Sequence, residues 1–119
     1  MLFLNLSNHP VSQWSADQLE AARQYGEVRD LPFPQINPDA TEDGINSLVE
    51  QYLSVIRQVG SPQEVVVHLM GELTFCFALV ERLKAEGYTC LASTTERIVS
   101  QIDSQTKQAT FRFVKFRKY

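Results

Sequence analysis

The sequence predicts an α/β fold, a mainly parallel open sheet flanked by helices and closed by a C-terminal β-hairpin. Three observations predict it. Short apolar or β-branched runs alternate with segments of helical period in the order β-α-β-α-β-α-β. One run, Val65-Val66-Val67, is apolar at consecutive positions, as suits a strand buried on both faces of a parallel sheet. Two more strand patterns, Glu96 to Ile102 and Ala109 to Phe116, are joined by the polar stretch Asp103-Ser104-Gln105-Thr106-Lys107.

The elements follow in order. Residues 2–6 form an apolar strand that stops at Ser-Asn-His-Pro, a turn signal. Ser15 and Gln18 make a capping box, with Leu19, Ala22 and Arg23 at helical spacing and Gly26 closing the helix. Val28 to Leu31 read as a short strand, and Pro32 to Ala40, with three prolines, as a loop. Thr41 can cap a second helix whose Ile45, Leu48, Val49, Tyr52, Leu53 and Ile56 make one apolar stripe, ended by Gly60-Ser61-Pro62. Glu64 to Met70 form a central strand, Leu73 to Glu86 a third helix with Gly87 at its C-terminal cap, and Tyr88 to Ala92 a further strand. Strict alternation slips at Phe113-Val114, which marks a bulge or bend.

With 119 residues, 44% of them apolar, the chain reads as one domain, residues 1–119, with enough material for a core. No run of about 18 apolar residues exists, and the N-terminus carries no basic n-region, so the expectation is a cytoplasmic protein with no membrane partner. Cys76 and Cys90 fit buried thiols in a reducing compartment, although two cysteines can also pair. The net charge of −3 hides a division. Residues 97–119 hold six basic side chains against Asp103 alone, a balance of +5, and the remainder of the chain carries −8. An acidic whole argues against general DNA coating, while a basic tail can receive a compact anion or simply protect a solvated edge strand.

Open α/β sheets bind ligands beyond the carboxyl ends of their strands. That rule selects Asn5 to Pro10, Met70 to Thr74, and Ser93 to Arg97. Asn5, Ser7, Asn8 and His9 can contact a ribose or phosphate, or merely build a turn. Trp14 nearby is a packing residue or a platform for a base. Gly71 at a strand-to-helix turn lets a ligand approach the backbone, and Thr74 lies in the first turn beyond it. Glu72 would repel a phosphate there but suits a ribose hydroxyl, an adenine amino group or a proton-acceptor role; it can also be only a helix-start residue. His68 reads as a core histidine. Ser93, Thr94, Thr95 and Arg97 can bind phosphate oxygens, or form a hydroxyl turn followed by a Glu/Arg pair. The tail from Phe111 to Tyr119 interleaves aromatics with Arg112, Lys115, Arg117 and Lys118. Dinucleotide, P-loop, zinc and GxSxG signatures are all absent, so neither a metal nor a cofactor is expected.

The strand into Gly71-Glu72, the strand into Ser93-Thr94-Thr95-Glu96-Arg97, the tail Phe111-Arg112-Phe113-Val114-Lys115-Phe116-Arg117-Lys118-Tyr119 and the opening Ser7/His9 loop together resemble the small stand-alone CARF-like proteins of type III CRISPR loci. The resemblance implies a Rossmann-like sheet, a cyclic oligoadenylate ligand, most plausibly the tetra-adenylate, and a homodimer around it. It further implies metal-independent ring cleavage by 2′-OH attack on phosphorus, or capture of the ring without turnover. Within it, Arg97 and Thr95 bind the scissile phosphate with Ser93 and Thr94 in support, and His9 is preferred for acid–base work over His68, which precedes its strand terminus. Ser7 and Asn8 orient ribose, Asn5 is among the substrate-binding residues, Glu72 contacts ribose or adenine, and Lys115 and Arg117 neutralise charge.

Overall fold

The computed structural model describes residues 1–119. Its sheet is built from β1 (Leu2–Ser7), β2 (Glu27–Asp30), β3 (Val65–Met70), β4 (Thr89–Gln101) and β5 (Lys107–Lys118). The helices are α1 (Ala16–Arg23), α2 (Glu42–Val59) and α3 (Leu73–Ala85), with one 3-10 turn at Val11–Gln13. The strands lie in the order β2-β1-β3-β4-β5, the first four mutually parallel and β5 antiparallel to β4. The predicted α/β class, with a mostly parallel open sheet, is the one observed.

Local chemistry sets the helix starts. Ser15 Oγ accepts from Gln18 N at 3.2 Å, and Thr41 Oγ1 accepts from Gly44 N at 3.1 Å, so both expected N-caps are made. At the end of α3, Gly87 takes φ +94°, a conformation in which a side chain is strained.

Alternation along β1 and β3 divides the core into two layers. Leu4, Leu6, Val65, Val67 and Leu69 pack under α2 and α3 with Leu53, Ile56, Phe75 and Leu79. Phe3, Val66 and Leu91 point to the other face, where Ala22 of α1 meets them beside Trp14, Tyr25 and Phe116. Consecutive apolar residues in β3 are therefore explained by helices on both sides of the sheet. Two exposed ion pairs, Arg57 to Glu86 and Arg82 to Glu50, lace α2 to α3 and add little stability in water. Cys76 and Cys90 are free and buried, and burial pushes their thiols up to about 12 and about 11.

One expectation is overturned. The sequence reads Tyr88 to Ala92 and Glu96 to Ile102 as separate strands with a loop at Ser93 to Arg97. Instead, β4 runs unbroken from Thr89 to Gln101, every residue from Leu91 onward having a partner on β5. Serine and threonine pair as readily in a β-ladder as they build turns, and here β5 offers them a full complement of backbone partners. The expected irregularity does occur: Thr94 opposes Lys115 and Thr95 opposes Phe113, which leaves Val114 as the extra residue of a bulge.

The β4–β5 pair outruns the body as a two-stranded ribbon. β3 pairs with β4 only through Leu91, whereas the ribbon continues to a turn in which Asp103 Oδ1 accepts from Gln105 N and Thr106 N. The radius of gyration is accordingly 16.0 Å, against about 13–14 Å for a compact chain of this length. The ribbon and body should differ in what their apolar side chains contribute. Leu53→Ala, fully buried, should cost about 2–5 kcal/mol in urea unfolding. Phe111→Ala, at a position 67% exposed on the ribbon, should change it by less than about 0.5 kcal/mol.

Candidate functional site at the carboxyl rim

Ser7 pairs with Met70, and the β3–β4 register, continued two residues, sets Ser93 level with both. The ends of β1 and β3, with Ser93 level with them inside β4, define a rim. Beneath it, on the α1 side, lies a closed polar network around Asn5, which is 1% exposed. Asn5 Nδ2 donates to Asp30 Oδ1 and to the His9 carbonyl, both at 2.9 Å. Both partners are pure acceptors, so the amide has one possible orientation, with Oδ1 turned toward β3. There His68 Nδ1 lies 2.8 Å away and must carry the ring proton. His68 Nε2 is then an acceptor, and Ser93 Oγ donates to it at 2.5 Å while accepting from Gln18 Nε2 at 3.2 Å. The His9 carbonyl also accepts from Trp14 Nε1 at 3.0 Å, and Ser7 Oγ donates to Asn5 Oδ1 at 2.8 Å. One buried amide thus connects β2, the β1 loop, β3, β4 and α1.

An aromatic shell seals the network. His68 stacks on Phe3 at 5.9 Å between centroids, with Trp14 and Phe116 edge-on to it at 5.4 and 5.3 Å. Burial pushes His68 down to about 4. The histidine read as a core residue is one, and its ring joins β1 to β4 through hydrogen bonds at both nitrogens. Sequence reasoning missed the partners Gln18 and Asp30: Gln18 reads as the second half of a capping box, but its side chain goes to Ser93, and nothing marks Asp30 from an ordinary strand-end polar residue.

The sequence-selected residues divide into four groups. Asn5 and Ser7 reach the rim but commit their hydrogen bonds inside the network, so they position the rim. Asn8 and His9 are exposed beyond it, and Asn8 lines two adjoining clefts. Gly71 and Glu72 lie at the neighbouring strand end, where Glu72 takes the helix-start role offered as its alternative and Gly71 serves packing. A Cβ on Gly71 would stand 2.3 Å from Phe33 Cζ, so the space the glycine opens is filled by that ring and not by a ligand. Glu72 is the N-cap of α3: its carboxylate accepts from Thr74 N at 3.1 Å, Phe75 N at 2.8 Å and the Thr74 hydroxyl. The Phe75 amide, and then the Thr74 hydroxyl, hold it below the usual carboxylate range. Both Glu72 and Thr74 are thereby engaged with each other at the helix start.

The fourth group is on the ribbon, where alternation separates what a loop would have gathered. Ser93, Thr95 and Arg97 share the α1 face of β4 with Phe116, Phe113 and Phe111 opposite them on β5. Thr94 faces the other way beside Lys115, and its hydroxyl donates to the Lys115 carbonyl at 2.9 Å. Arg117, opposite Ala92, shares that second face. Arg97 is four residues past Ser93, about 13 Å above the rim at the rise of a strand.

Two clefts open at the rim. One of about 290 Å³ is bordered by Asn5, Asn8, Pro10, Asp30, Pro32 and Phe33; the other, of about 760 Å³, by Asn8, Phe33, Gln35, Asn37, Pro38 and Glu72. The only charged side chains lining either are Asp30 and Glu72. No cluster of three or more His, Cys, Asp or Glu is placed to hold a metal ion, and no helix is long and apolar enough to cross a membrane.

The model of one family, described as "Uncharacterized protein MJ1673 family", matches residues 1–117. The chain belongs to the MJ1673 family. Neither a curated protein nor a solved structure matches it. The family match takes in β1 to β4 and all but the last residue of β5, so the polar network, both clefts and the ribbon lie within it.

The His68 environment has a pH signature. The unfolded chain takes up a proton near pH 6.5 that the folded chain refuses until about 4, so the contribution is complete above pH 6.5 and is lost as the pH falls toward 4. Full loss amounts to roughly 3 kcal/mol. Urea midpoints should fall across that window in the wild type. In His68→Gln the profile should be lower overall and flatter, apart from the carboxylate losses that begin below about pH 4.5.

Proposed function

We propose that this chain binds a cyclic oligoadenylate at the carboxyl rim and opens the ring without a metal, as its resemblance to the CARF-like, Rossmann-like ring nucleases implies. One observation carries the reading. The clefts at the β1, β2 and β3 ends contain acids, amides and an aromatic ring but no cation, while the ribbon rising from the same rim carries Arg97 on one face and Lys115 and Arg117 on the other, its Arg112 being paired with Glu96. Such a division matches a ligand whose nucleosides and phosphates face different walls.

In the reaction, a ribose 2′-oxygen attacks the adjacent phosphorus in line and the P–O5′ bond breaks. The product carries a 2′,3′-cyclic phosphate at one end and a 5′-hydroxyl at the other. In this reading His9, exposed at the β1 end, takes the 2′-OH proton and returns one to the leaving oxygen. Glu72 is left with ribose or adenine contact, because its carboxylate is held by its own helix. Thr95 and Arg97, sharing one ribbon face, serve the phosphate. Their height above the rim favours a homodimer in which the ribbon of one copy reaches the rim of the other. By consuming the ring, such a reaction switches off a cytoplasmic type III CRISPR signal.

The height of Arg97 also favours a second reading, capture of the ring with no turnover if each rim acts alone. Incubation with radiolabelled cyclic tetra-adenylate in EDTA separates the two. Linear products ending in a 2′,3′-cyclic phosphate are expected, slowed about 10²-fold or more in His9→Ala and in Arg97→Ala. An intact ring retained by the protein leaves only capture, and an intact unbound ring overturns both readings.

A further inference from the structure

The outer ribbon is a cationic arm on an acidic body, and its two faces differ. On the face shared with α1, Thr95, Arg97 and Val99 of β4 oppose Phe113, Phe111 and Ala109 of β5, and no carboxylate lies anywhere along it. The other face has one acid, Glu96, which Arg112 neutralises at 2.7 Å. Asp103, at the tip, is engaged by the amides of its own turn. Arg97 is exposed and pairs with no acid, so the balance of +5 over residues 97–119 is left to the solvent.

Aromatic placement adds to the charge. Phe111 is 67% exposed, and Phe113 leans on Phe116 at 4.9 Å between centroids. Two residues apart on one strand, Phe111 and Phe113 stand about 7 Å from each other, twice the about 3.4 Å between stacked bases of one nucleic-acid strand. That spacing suits bases splayed apart, each with its own ring. Arg97 directly opposes Phe111, and the Cβ atoms of such a pair are about 5 Å apart, so a base on the ring leaves its phosphate beside the guanidinium. A two-stranded face offers no groove for a helix, and a second ribbon laid on it would bring like charge against like. A polyanion with exposed flat bases uses both the rings and the cations.

We infer that this ribbon face binds single-stranded nucleic acid, with Phe111 and Phe113 stacking successive bases and Arg97 taking the adjoining phosphate. Such binding needs a linear strand and one copy of the chain, so it is independent of the ring reaction. Neither contact reads the sugar, and the acidic body confines the strand to the ribbon.

Fluorescence anisotropy at low salt, with a labelled single-stranded oligodeoxythymidylate of about ten nucleotides, tests it. The probe has no 2′-OH, so the reaction proposed above does not consume it. The wild type should hold this strand more tightly than a duplex of the same length, whose bases are stacked on one another. Phe111→Ala should weaken binding about fivefold or more, the lower bound for loss of one stacked base, and Phe111→Trp should bind at least as tightly as the wild type. Arg97→Gln should reduce the slope of log affinity against log salt by about 0.7, the share of one phosphate on a single strand. Both positions are exposed and outside the core, so the variants keep the fold. No binding of the single strand overturns the inference, as does equal affinity for the duplex, undiminished affinity in Phe111→Ala or an unchanged slope in Arg97→Gln. If light scattering shows that Phe111→Ala dissociates a dimer while its affinity for the strand is unchanged, the face belongs to a second copy and the inference falls.

Discussion

A primary amide buried between parallel strands must find four partners or destabilise the sheet that contains it, and Asn5 finds all four. Its two donors go to Asp30 and the His9 carbonyl, and its oxygen receives Ser7 and His68. Because Asp30 and the carbonyl can only accept, the amide orientation is fixed; it fixes the histidine tautomer, which fixes the direction of the Ser93 hydroxyl. The positions of three strand ends and the first loop therefore depend on one side chain. An uncompensated polar group at this depth costs about 1–3 kcal/mol, so the network is robust when complete and vulnerable at every member.

The same constraint divides structural from chemical roles at the rim. Side chains inside the network are satisfied and do not turn toward solvent. Those just outside it, Asn8 and His9, retain unused hydrogen-bonding capacity. Phe33 and Gly71 complete the arrangement by contact alone, the ring occupying the volume that a side chain on the glycine would need. The rim is consequently rigid below and chemically open above.

Much of this was legible in the sequence, for identifiable reasons. Helix caps, the apolar stripe of α2 and the continuous Val65–Val67 run depend on contacts a few residues apart or on burial alone, and each leaves a local mark. The Val114 bulge was visible because it breaks a period. Ser93 to Arg97 was misread because turn and strand compete for the same hydroxyl residues, and the winner is decided by β5, some twenty residues away. Glu72 was placed within the right turn, yet whether a carboxylate caps its own helix or meets a ligand depends on side-chain torsions that spacing does not encode. Asp30 left no signal at all, since its meaning comes from Asn5, twenty-five residues earlier.

The Val114 bulge has a consequence for how such a protein can change. Below it, Phe116 is committed to the aromatic core with Phe3 and Trp14; above it, Phe113 and Phe111 lie on that same face only because one extra residue intervenes. The bulge thus acts as a joint between two regimes of selection. On the body side a substitution is judged by packing, and on the ribbon side by whatever the ribbon meets. An insertion or deletion at that single position exchanges the faces of the outer β5 side chains while those of β4 and the body stay in place, a large change of surface reachable in one mutational step.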